Sequence, residues 1–459
     1  MVEKDDIVEV EIDSLANGGE GVGKIEGFTV FVEDSAPGDV LKVKITHKKD
    51  RYSRGNIVEI LTPSPMRVKP ECAITKVCGG CNWQHIEYKG QLKAKRQIVE
   101  DSLRRIGGID APVREVLPSD KVYNYRCKIQ NIIQRTSVSK DLQLGYYKKG
   151  THDFVNVEHC PIQPELVEEV AEHIRKKGEQ LGIPAYNKKG KKGLLRHVVF
   201  RYSQSDDNLL LIFVVNSTSV LKNIKDLALS CKAAFPKIVG VLANFNTKHN
   251  SVILGHKTAL IEGRDYIEEH MEDRTYRITA GSFFQVNPPS AIKMFNTVKT
   301  MINERLESPT ILDTYAGVAS FAIWMKDSAK TMTSIEEYPQ AVKDAKVNIS
   351  LNNHIPGADI NMIEGNADTV LKNLVKDGKS YGVIILDPPR KGCSPVAIES
   401  AAKLAEKYII YVSCNPATLA RDLRLLDKQG FETEYVQPID MFCHTYHVES
   451  IALIKRKNI

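Results

Sequence analysis

Long apolar runs are missing from this chain of 459 residues, and none approaches the roughly 18 residues of a membrane-spanning helix. A secretory leader is not expected either, because Glu3, Asp5, Asp6 and Glu9 are acids where a leader carries positive charge. Nine cysteines, an odd number unevenly spaced, do not make the framework of a secreted disulfide protein. These absences point to a reducing cytoplasm. A large charge of one sign is also lacking, since 63 Lys and Arg stand against 57 Asp and Glu, for a net +6. That balance permits a nucleic-acid partner without demanding one. The Gly-x-Gly-x-x-Gly fingerprint is absent, which removes the usual pyrophosphate cradle of dinucleotide-binding folds. What is present suffices for about two to four domains, and 42% hydrophobic residues can fill more than one core.

Residues 1–61 read as a small all-β unit. Ile7–Ile12 and Val40–Ile45 nearly alternate apolar and polar residues, and Ala36-Pro37-Gly38-Asp39 is a turn between strands. Gly18-Gly19-Glu20-Gly21-Val22-Gly23 lies between β segments with no helical pattern after it, so a glycine-rich turn is expected rather than a phosphate loop. Acids outnumber bases in this unit. Its cations gather at Lys42, Lys44, Lys48, Lys49, Arg51 and Arg54, an edge that either meets a nucleic acid or is a solvated face.

Pro63, Pro65 and Pro70 mark a linker. Beyond it stand Cys72, then Cys78-Gly79-Gly80-Cys81, and much later Cys160-Pro161. Three close cysteines and a distant fourth can supply four thiolates to one metal centre. The paired glycines let the backbone pass close to a bulky cluster, and a cysteine followed by proline also occurs at ferredoxin-type ligands. The pattern favours iron–sulfur over structural zinc, whose knuckles come as two short pairs, and over four ordinary buried thiols. Lys89 to Ile106 reads as a helix, and Tyr125 to about Leu254 as an antiparallel stretch. Within it, Lys188-Lys189-Gly190-Lys191-Lys192 is a basic loop, solvated unless RNA finds it, and His197 is expected to be structural.

In the last third, apolar strands alternate with helical patterns, the mark of a parallel α/β sheet. Thr310-Ile311-Leu312-Asp313 is a strand, followed by the turn Tyr315–Ser320. Glu336 ends the next strand about twenty residues past that turn, the spacing at which nucleoside-binding folds set a carboxylate on ribose hydroxyls. A nucleoside without phosphates therefore fits better than a dinucleotide. Gly382 to Asp387 is a buried strand that runs into Pro388-Pro389-Arg390, and Tyr408 to Val412 leads to Ser413-Cys414-Asn415-Pro416. A thiol at the carboxyl end of a strand sits where α/β sheets hold ligands, although inert burial is the commoner fate of cysteine. Singly, each strand-end acid is an ordinary cap; converging on one sheet edge, they make a site.

Phe283-Phe284-Gln285-Val286-Asn287, Asp313-Thr314-Tyr315-Ala316-Gly317, Glu336, Asp387-Pro388-Pro389-Arg390, Ser413-Cys414-Asn415-Pro416 and His444-Thr445-Tyr446-His447-Val448-Glu449 resemble, in this order, the motifs of RNA uracil-5 methyltransferases. The first 61 residues resemble a TRAM domain. With the four-cysteine motif behind it, the chain is similar to the ribosomal branch, the 23S rRNA (uracil-C5) methyltransferases, over essentially its whole length. The resemblance implies an α/β, Rossmann-like class I S-adenosylmethionine-dependent methyltransferase domain at 271–459. A TRAM-like β-barrel at 1–61 and a mixed α/β central domain at 62–270 would precede it, with a helical segment 89–122 packed on the catalytic domain. Gln285, Tyr315, Glu336 and Asp387 are implied to bind S-adenosylmethionine, Cys414 to be the nucleophile and Glu449 the base. Cys72, Cys78, Cys81 and Cys160 would hold a [4Fe-4S] cluster. The implied partner is 23S rRNA, offering a single-stranded or flipped uridine to a monomeric cytoplasmic enzyme that uses neither DNA nor membrane. The chain departs from the pattern at Ala316, where many relatives have cysteine, and at Ala319, where they have a second glycine. Cys127 and Cys443 stand where Asn and Pro are expected.

The chemistry explains the residue types. Carbon 5 of uracil is too weak a nucleophile to take a methyl group unaided, but a thiolate adding at carbon 6 turns the ring into an enolate. A base must then remove the carbon 5 proton so that the thiolate can leave, and partial burial raises a carboxylate such as Glu449 toward that task. Phe283 or Phe284 would stack on the flipped base. A transfer-RNA methyltransferase of the same chemistry is the nearest alternative, followed by a non-catalytic RNA-binding protein, which would need neither Cys414 nor Glu449. A DNA cytosine-5 methyltransferase would carry its cysteine after a proline, which is not the order found.

Overall fold

The computed structural model describes residues 2–135 and 142–457. It divides into two compact units, one of Met1–Ser119, Pro388–Ile398 and Ile410–Ile459, the other of Asp120–Asp387 and Glu399–Ile409.

The first unit begins with a closed five-stranded barrel, β1 (Ile7–Leu15), β2 (Gly21–Ile25), β3 (Phe28–Val32), β4 (Val40–Lys48) and β5 (Tyr52–Thr62), in the order β1-β2-β3-β5-β4. Alternation drives it: Val10, Ile12, Val30, Val32, Leu41, Val43 and Ile45 point inward and form its core. The glycine-rich stretch is a turn running into β2, as its surroundings led us to expect. Gly23 is required there, since a Cβ would lie 2.2 Å from the Glu11 carbonyl oxygen. Closure leaves no free sheet edge.

The helix after the cysteine motif spans Tyr88–Ser102 and closes with a wider π-type turn over Leu103–Gly107. Helical structure expected as far as 122 therefore ends at Gly108, whose φ of +65° stops the helix. The chain beyond is extended and lies along β20 (Phe431–Ile439), with Arg114 and Leu117 donating backbone hydrogen bonds to Val436 and Pro438. The helix packs on the helix Pro416–Lys428 and on β20. β20 pairs antiparallel with β21 (Glu449–Arg456), which sets Glu449 opposite Ile439.

The second unit opens with a seven-stranded sheet of β6 (Lys128–Gln134), β7 (Gln143–Tyr147), β8 (Phe154–Asn156), β9 (Leu195–Ser203), β10 (Asn208–Val215), β11 (Ile238–Phe245) and β12 (Lys257–Gly263). Its order is β12-β11-β10-β9-β6-β7-β8. An all-antiparallel stretch was the expectation; instead β10 and β11 run parallel. The helix Lys222–Ala234 makes the crossover that a parallel pair requires. Its stripe of Ile224, Leu227, Ala228 and Cys231 is buried, as is the Val167, Val170, Ala171 and Ile174 stripe of the helix Glu165–Gln180. After the hairpin β13 (Tyr266–Met271) and β14 (Arg274–Thr279) come four parallel strands: β15 (Thr310–Thr314), β16 (Thr331–Glu336), β17 (Ile360–Glu364) and β18 (Tyr381–Leu386). They lie in the order β17-β16-β15-β18, alternating with helices. All six residues of β18 are buried, the signature of a strand covered on both faces. β19 (Ala405–Ser413) begins in the second unit and ends in the first.

In the first unit, Lys95 Nζ stands 2.6 Å from Asp440 Oδ1, both side chains fully buried, and also donates to the Phe442 carbonyl at 3.0 Å. Removing one partner of such a pair leaves a charge in a dry interior. Lys95→Met should cost about 3–5 kcal/mol in denaturant unfolding of this unit, and adding Asp440→Asn should recover much of that loss. Equal stability of Lys95→Met and the parent chain would show that the pair contributes nothing.

Candidate active site

The second unit carries the residues implied to bind the cofactor. Asp313, Glu336 and Asp387 lie at the carboxyl ends of β15, β16 and β18, or one step beyond, where a parallel sheet presents its ligand-binding turns. Glu336 is pinned by the backbone: its Oε2 accepts from the Gly317 N–H at 2.8 Å and its Oε1 from the Tyr338 N–H at 2.7 Å. Each oxygen keeps a lone pair for a hydroxyl donor. The turn that donates to it is tight, with Tyr315, Gly317 and Ala319 at φ of +62°, +57° and +66°. Ala319 thus adopts the left-handed conformation that a glycine would take freely, so the missing glycine leaves the turn's shape intact at a conformational cost.

Two of the three acids are held above the ordinary carboxyl range. Asp313 is fully buried, and burial, followed by the charges of Asp387 and Glu336, pushes its carboxyl well above the ordinary value. Burial pushes Asp387 up to about 7. Gln285 is half-buried and follows Phe284, which is buried against Tyr276 with ring centroids 5.4 Å apart. Phe283 is 64% exposed, so of the two phenylalanines only this one offers a face to a base. Lys128, Arg201, Glu269 and Gln285 line a small cleft in the same unit. The carbonyls of Ala280 and Ser282 accept from Arg201, which fixes the chain ahead of Phe283. Nothing in the sequence pattern singled out Lys128 or Arg201. His197 is pushed down to about 4 by burial and then by Arg196 and Lys188, so it is neutral at physiological pH.

The first unit carries the two residues implied in covalent chemistry. Cys414 follows the last residue of β19 and is partly exposed, whereas seven of the nine cysteines are buried. Burial pushes the Cys231 and Cys443 thiols up to about 12, and Cys127 well above its ordinary value, which makes them inert. Asn415 caps the helix Pro416–Lys428 through an N–H···O bond from Ala417 of 3.1 Å, so Cys414 stands at the positive end of a helix dipole. The Asn415 side chain also donates to the Arg390 carbonyl at 3.2 Å. Behind the thiol, buried Asp422 accepts from the Tyr411 hydroxyl at 2.5 Å and the Cys393 N–H at 2.8 Å, and pairs with Arg421. Strand end, helix start and the 388–393 loop are thereby tied together. Glu449, the first residue of β21, is buried.

Cys72, Cys78 and Cys81 are buried in the first unit, Cys160 is partly exposed in the second, and none forms a disulfide. Four reduced thiols suit iron chemically, and the Gly80 N–H approaches Cys78 Sγ at 3.4 Å as it would a thiolate ligand. Among the described residues, however, no group of three or more His, Cys, Asp or Glu side chains is arranged to hold a metal ion. The ligand geometry of the four cysteines therefore does not fit a metal as it stands.

Strand order, helix alternation and the carboxyl-end turns define a class I S-adenosylmethionine-dependent methyltransferase fold, preceded by a five-stranded barrel. Residues 220–457 match the family model for tRNA (Uracil-5-)-methyltransferase, and residues 3–58 that for the TRAM domain. The chain belongs to the RNA (uracil-5-) methyltransferase family, with an N-terminal TRAM barrel. It is 37% identical over 457 residues to an uncharacterized RNA methyltransferase of Bacillus cereus, covering 99% of this chain and 98% of that one. To an uncharacterized RNA methyltransferase of Halalkalibacterium halodurans it is 35% identical over 458 residues, 100% of this chain and 98% of that one. Among solved structures it is similar to Pyrococcus abyssi tRNA (uracil-54, C5)-methyltransferase in complex with S-adenosyl-L-homocysteine. The TM-score is 0.76 and the identity 26%, over 97% of this chain and 100% of that one.

A carboxyl with a raised pKa is neutral below that value and charged above it. The resemblance implies that Asp387 helps to hold the sulfonium cofactor; its charged form would do so, and protonation would compete with it. Affinity for S-adenosylmethionine should be about tenfold weaker at pH 6 than at pH 8 by calorimetry, and Asp387→Asn should flatten the profile. An unaltered profile in that variant would assign the titration to another group.

Proposed function

We propose that this enzyme transfers a methyl group from S-adenosylmethionine to carbon 5 of a uridine in 23S rRNA, through a covalent adduct with Cys414. The observation that carries the chemistry is a partly exposed thiol between a strand end and a helix N-terminus, tied down through Asn415 and Tyr411. Cys414, as thiolate, adds to carbon 6 of the uracil. Bound S-adenosylmethionine supplies the electrophilic methyl group that the resulting carbon 5 enolate takes. Glu449 then removes the carbon 5 proton, the double bond re-forms, and the Cys414 thiolate leaves. Gln285, Tyr315, Glu336 and Asp387 hold the cofactor in this reading, with Glu336 on the ribose hydroxyls, and Phe283 stacks on the extruded base.

Cys414→Ala should abolish both turnover and covalent attachment to RNA. Glu449→Gln should still add and methylate but stall before elimination, so that a protein–RNA adduct survives denaturing electrophoresis. Fast turnover by Glu449→Gln with no adduct would move the base to another residue.

The ribosomal assignment rests on where unpaired cations stand. Lys42, Lys44 and Arg54 of the barrel edge pair with Glu59, Asp5 and Glu20 at 2.8, 3.3 and 2.5 Å, and Lys48 pairs with Glu3. Exposed Lys49 and Arg51, and the exposed Lys188–Lys192 loop, have no ion pair among the described residues. Two cationic loops, one on each unit, suit a single-stranded segment of a large RNA gripped at several places. Transfer RNA is the second reading, favoured by the full-length similarity to the Pyrococcus abyssi tRNA enzyme. Unmodified 23S rRNA should accept methyl groups at a higher kcat/KM than transfer RNA. Changing Lys188, Lys189, Lys191 and Lys192 to Glu should weaken RNA binding at least tenfold while sparing S-adenosylmethionine. A faster reaction with transfer RNA would make the second reading the right one.

The cysteine motif is read, on its spacing alone, as the ligand set of a [4Fe-4S] cluster whose binding would have to draw the four cysteines together. Protein isolated without oxygen should be brown, with iron and acid-labile sulfide in near-equal amounts. Stoichiometric zinc in a colourless, active preparation would overturn this part. We further read residues 1–61, 62–270 and 271–459 as the functional domains of a cytoplasmic monomer.

A further inference from the structure

We propose that Gln91 is a positioning residue for catalysis: together with the backbone that follows Cys81, it clamps the loop entering β21 and so sets the position of Glu449. This rests on Glu449 being the base. The loop contains a conformation that needs holding. His444 has a φ of +64°, a left-handed backbone that residues other than glycine adopt only where their surroundings over-determine it.

The surroundings do so from two directions. The His444 N–H donates to Gln91 Oε1 at 3.0 Å, and the His444 carbonyl accepts from the Asn82 and Trp83 N–H groups at 2.9 and 3.0 Å. Gln91 Nε2 in turn donates to the carbonyls of Trp83 and Ile86 at 3.1 and 2.8 Å. One buried amide thus joins the segment after the cysteine motif to the turn at His444, and losing it would leave buried backbone groups without their partner. Trp83 is anchored further by its indole N–H, which donates to the Gly19 carbonyl at 2.9 Å. From His444 onward the path is short and braced. The Thr445 hydroxyl donates to the Phe442 carbonyl at 2.8 Å and accepts from the His447 N–H at 3.2 Å, two residues before Glu449.

Thiolate addition and methyl transfer depend on Cys414, whose strand is held separately through Tyr411 and Asp422. Proton removal alone depends on where Glu449 stands, and a general base displaced by a fraction of an ångström loses its reach. Loosening the clamp should therefore slow elimination while leaving the adduct to accumulate, which a merely destabilised protein would not do.

The test compares the parent enzyme, Gln91→Met and Glu449→Gln in the presence of RNA and S-adenosylmethionine. It measures turnover, cofactor affinity and the fraction of protein attached to RNA on denaturing gels. Gln91→Met should lose roughly ten- to a hundredfold in kcat, hold S-adenosylmethionine within twofold of the parent, and accumulate adduct severalfold. Adding His444→Gly, which relieves the left-handed cost, should restore part of the turnover. Should Gln91→Met not fold, Gln91→Asn, with the same groups one methylene short, should show the same adduct build-up at smaller size. A folded Gln91 variant with parental turnover, or a slow one without adduct while Glu449→Gln traps it, would overturn the proposal alone. If Glu449→Gln also traps nothing, the base assignment has failed and the proposal falls with it.

Discussion

A strand buried on both faces has only its carboxyl end, and the turn beyond, to give to chemistry. The arrangement of polar groups in the catalytic part of this chain follows from that constraint. β18 is buried throughout and runs into Asp387, Glu336 is the last residue of β16 and Asp313 the last but one of β15, and the buried run Ile409–Val412 of β19 leads to Ser413 and Cys414. Burying carboxylates at this edge is costly, as the raised Asp313 and Asp387 show, and at Asp313 the neighbouring charges of Asp387 and Glu336 add to the cost. Backbone N–H groups meet part of that cost at Glu336, and a sulfonium is the kind of charge that such an edge accommodates.

In the proposed reaction Cys414 and Glu449 of the first unit need a different kind of support, because a nucleophile and a base would have to be held rather than merely exposed. Asp422 gathers Tyr411, Cys393 and Arg421 behind Cys414. Lys95 and Asp440 anchor the loop that leads to Glu449 from the side of the helix Tyr88–Ser102. Both anchors are buried charges with partners, an arrangement that specifies one conformation more than it adds stability. The left-handed His444 lies between the second anchor and Glu449, where backbone strain is tolerated only under such constraint.

Much of this was legible in the sequence, and what was not has a physical reason. Short strand-like runs ending at or beside an acid gave away β15, β16 and β18, and alternation gave away the barrel. The helices Glu165–Gln180 and Lys222–Ala234 were missed because their buried stripes sit among many charged residues, and with them went the parallel pairing of β10 and β11. Helical structure was extended too far because the stop at Gly108 is conformational and leaves only a glycine pair as its trace. The barrel's cationic edge was read from composition, yet the acids that neutralise most of it come from other strands and turns, such as Glu59 opposite Lys42. The partners Lys95 and Asp440 are 345 positions apart, and no local pattern announces such a pair.

The central claim is that carbon 5 of a uridine loses its proton while Cys414 is attached at carbon 6. RNA carrying tritium at carbon 5 of its uridines reports this directly, since methylation there must release the label to water. The account predicts one tritium released for every methyl group transferred, and no release at all by Cys414→Ala. Methyl transfer to RNA without tritium release would mean that the methyl goes to another atom and that the covalent mechanism is wrong.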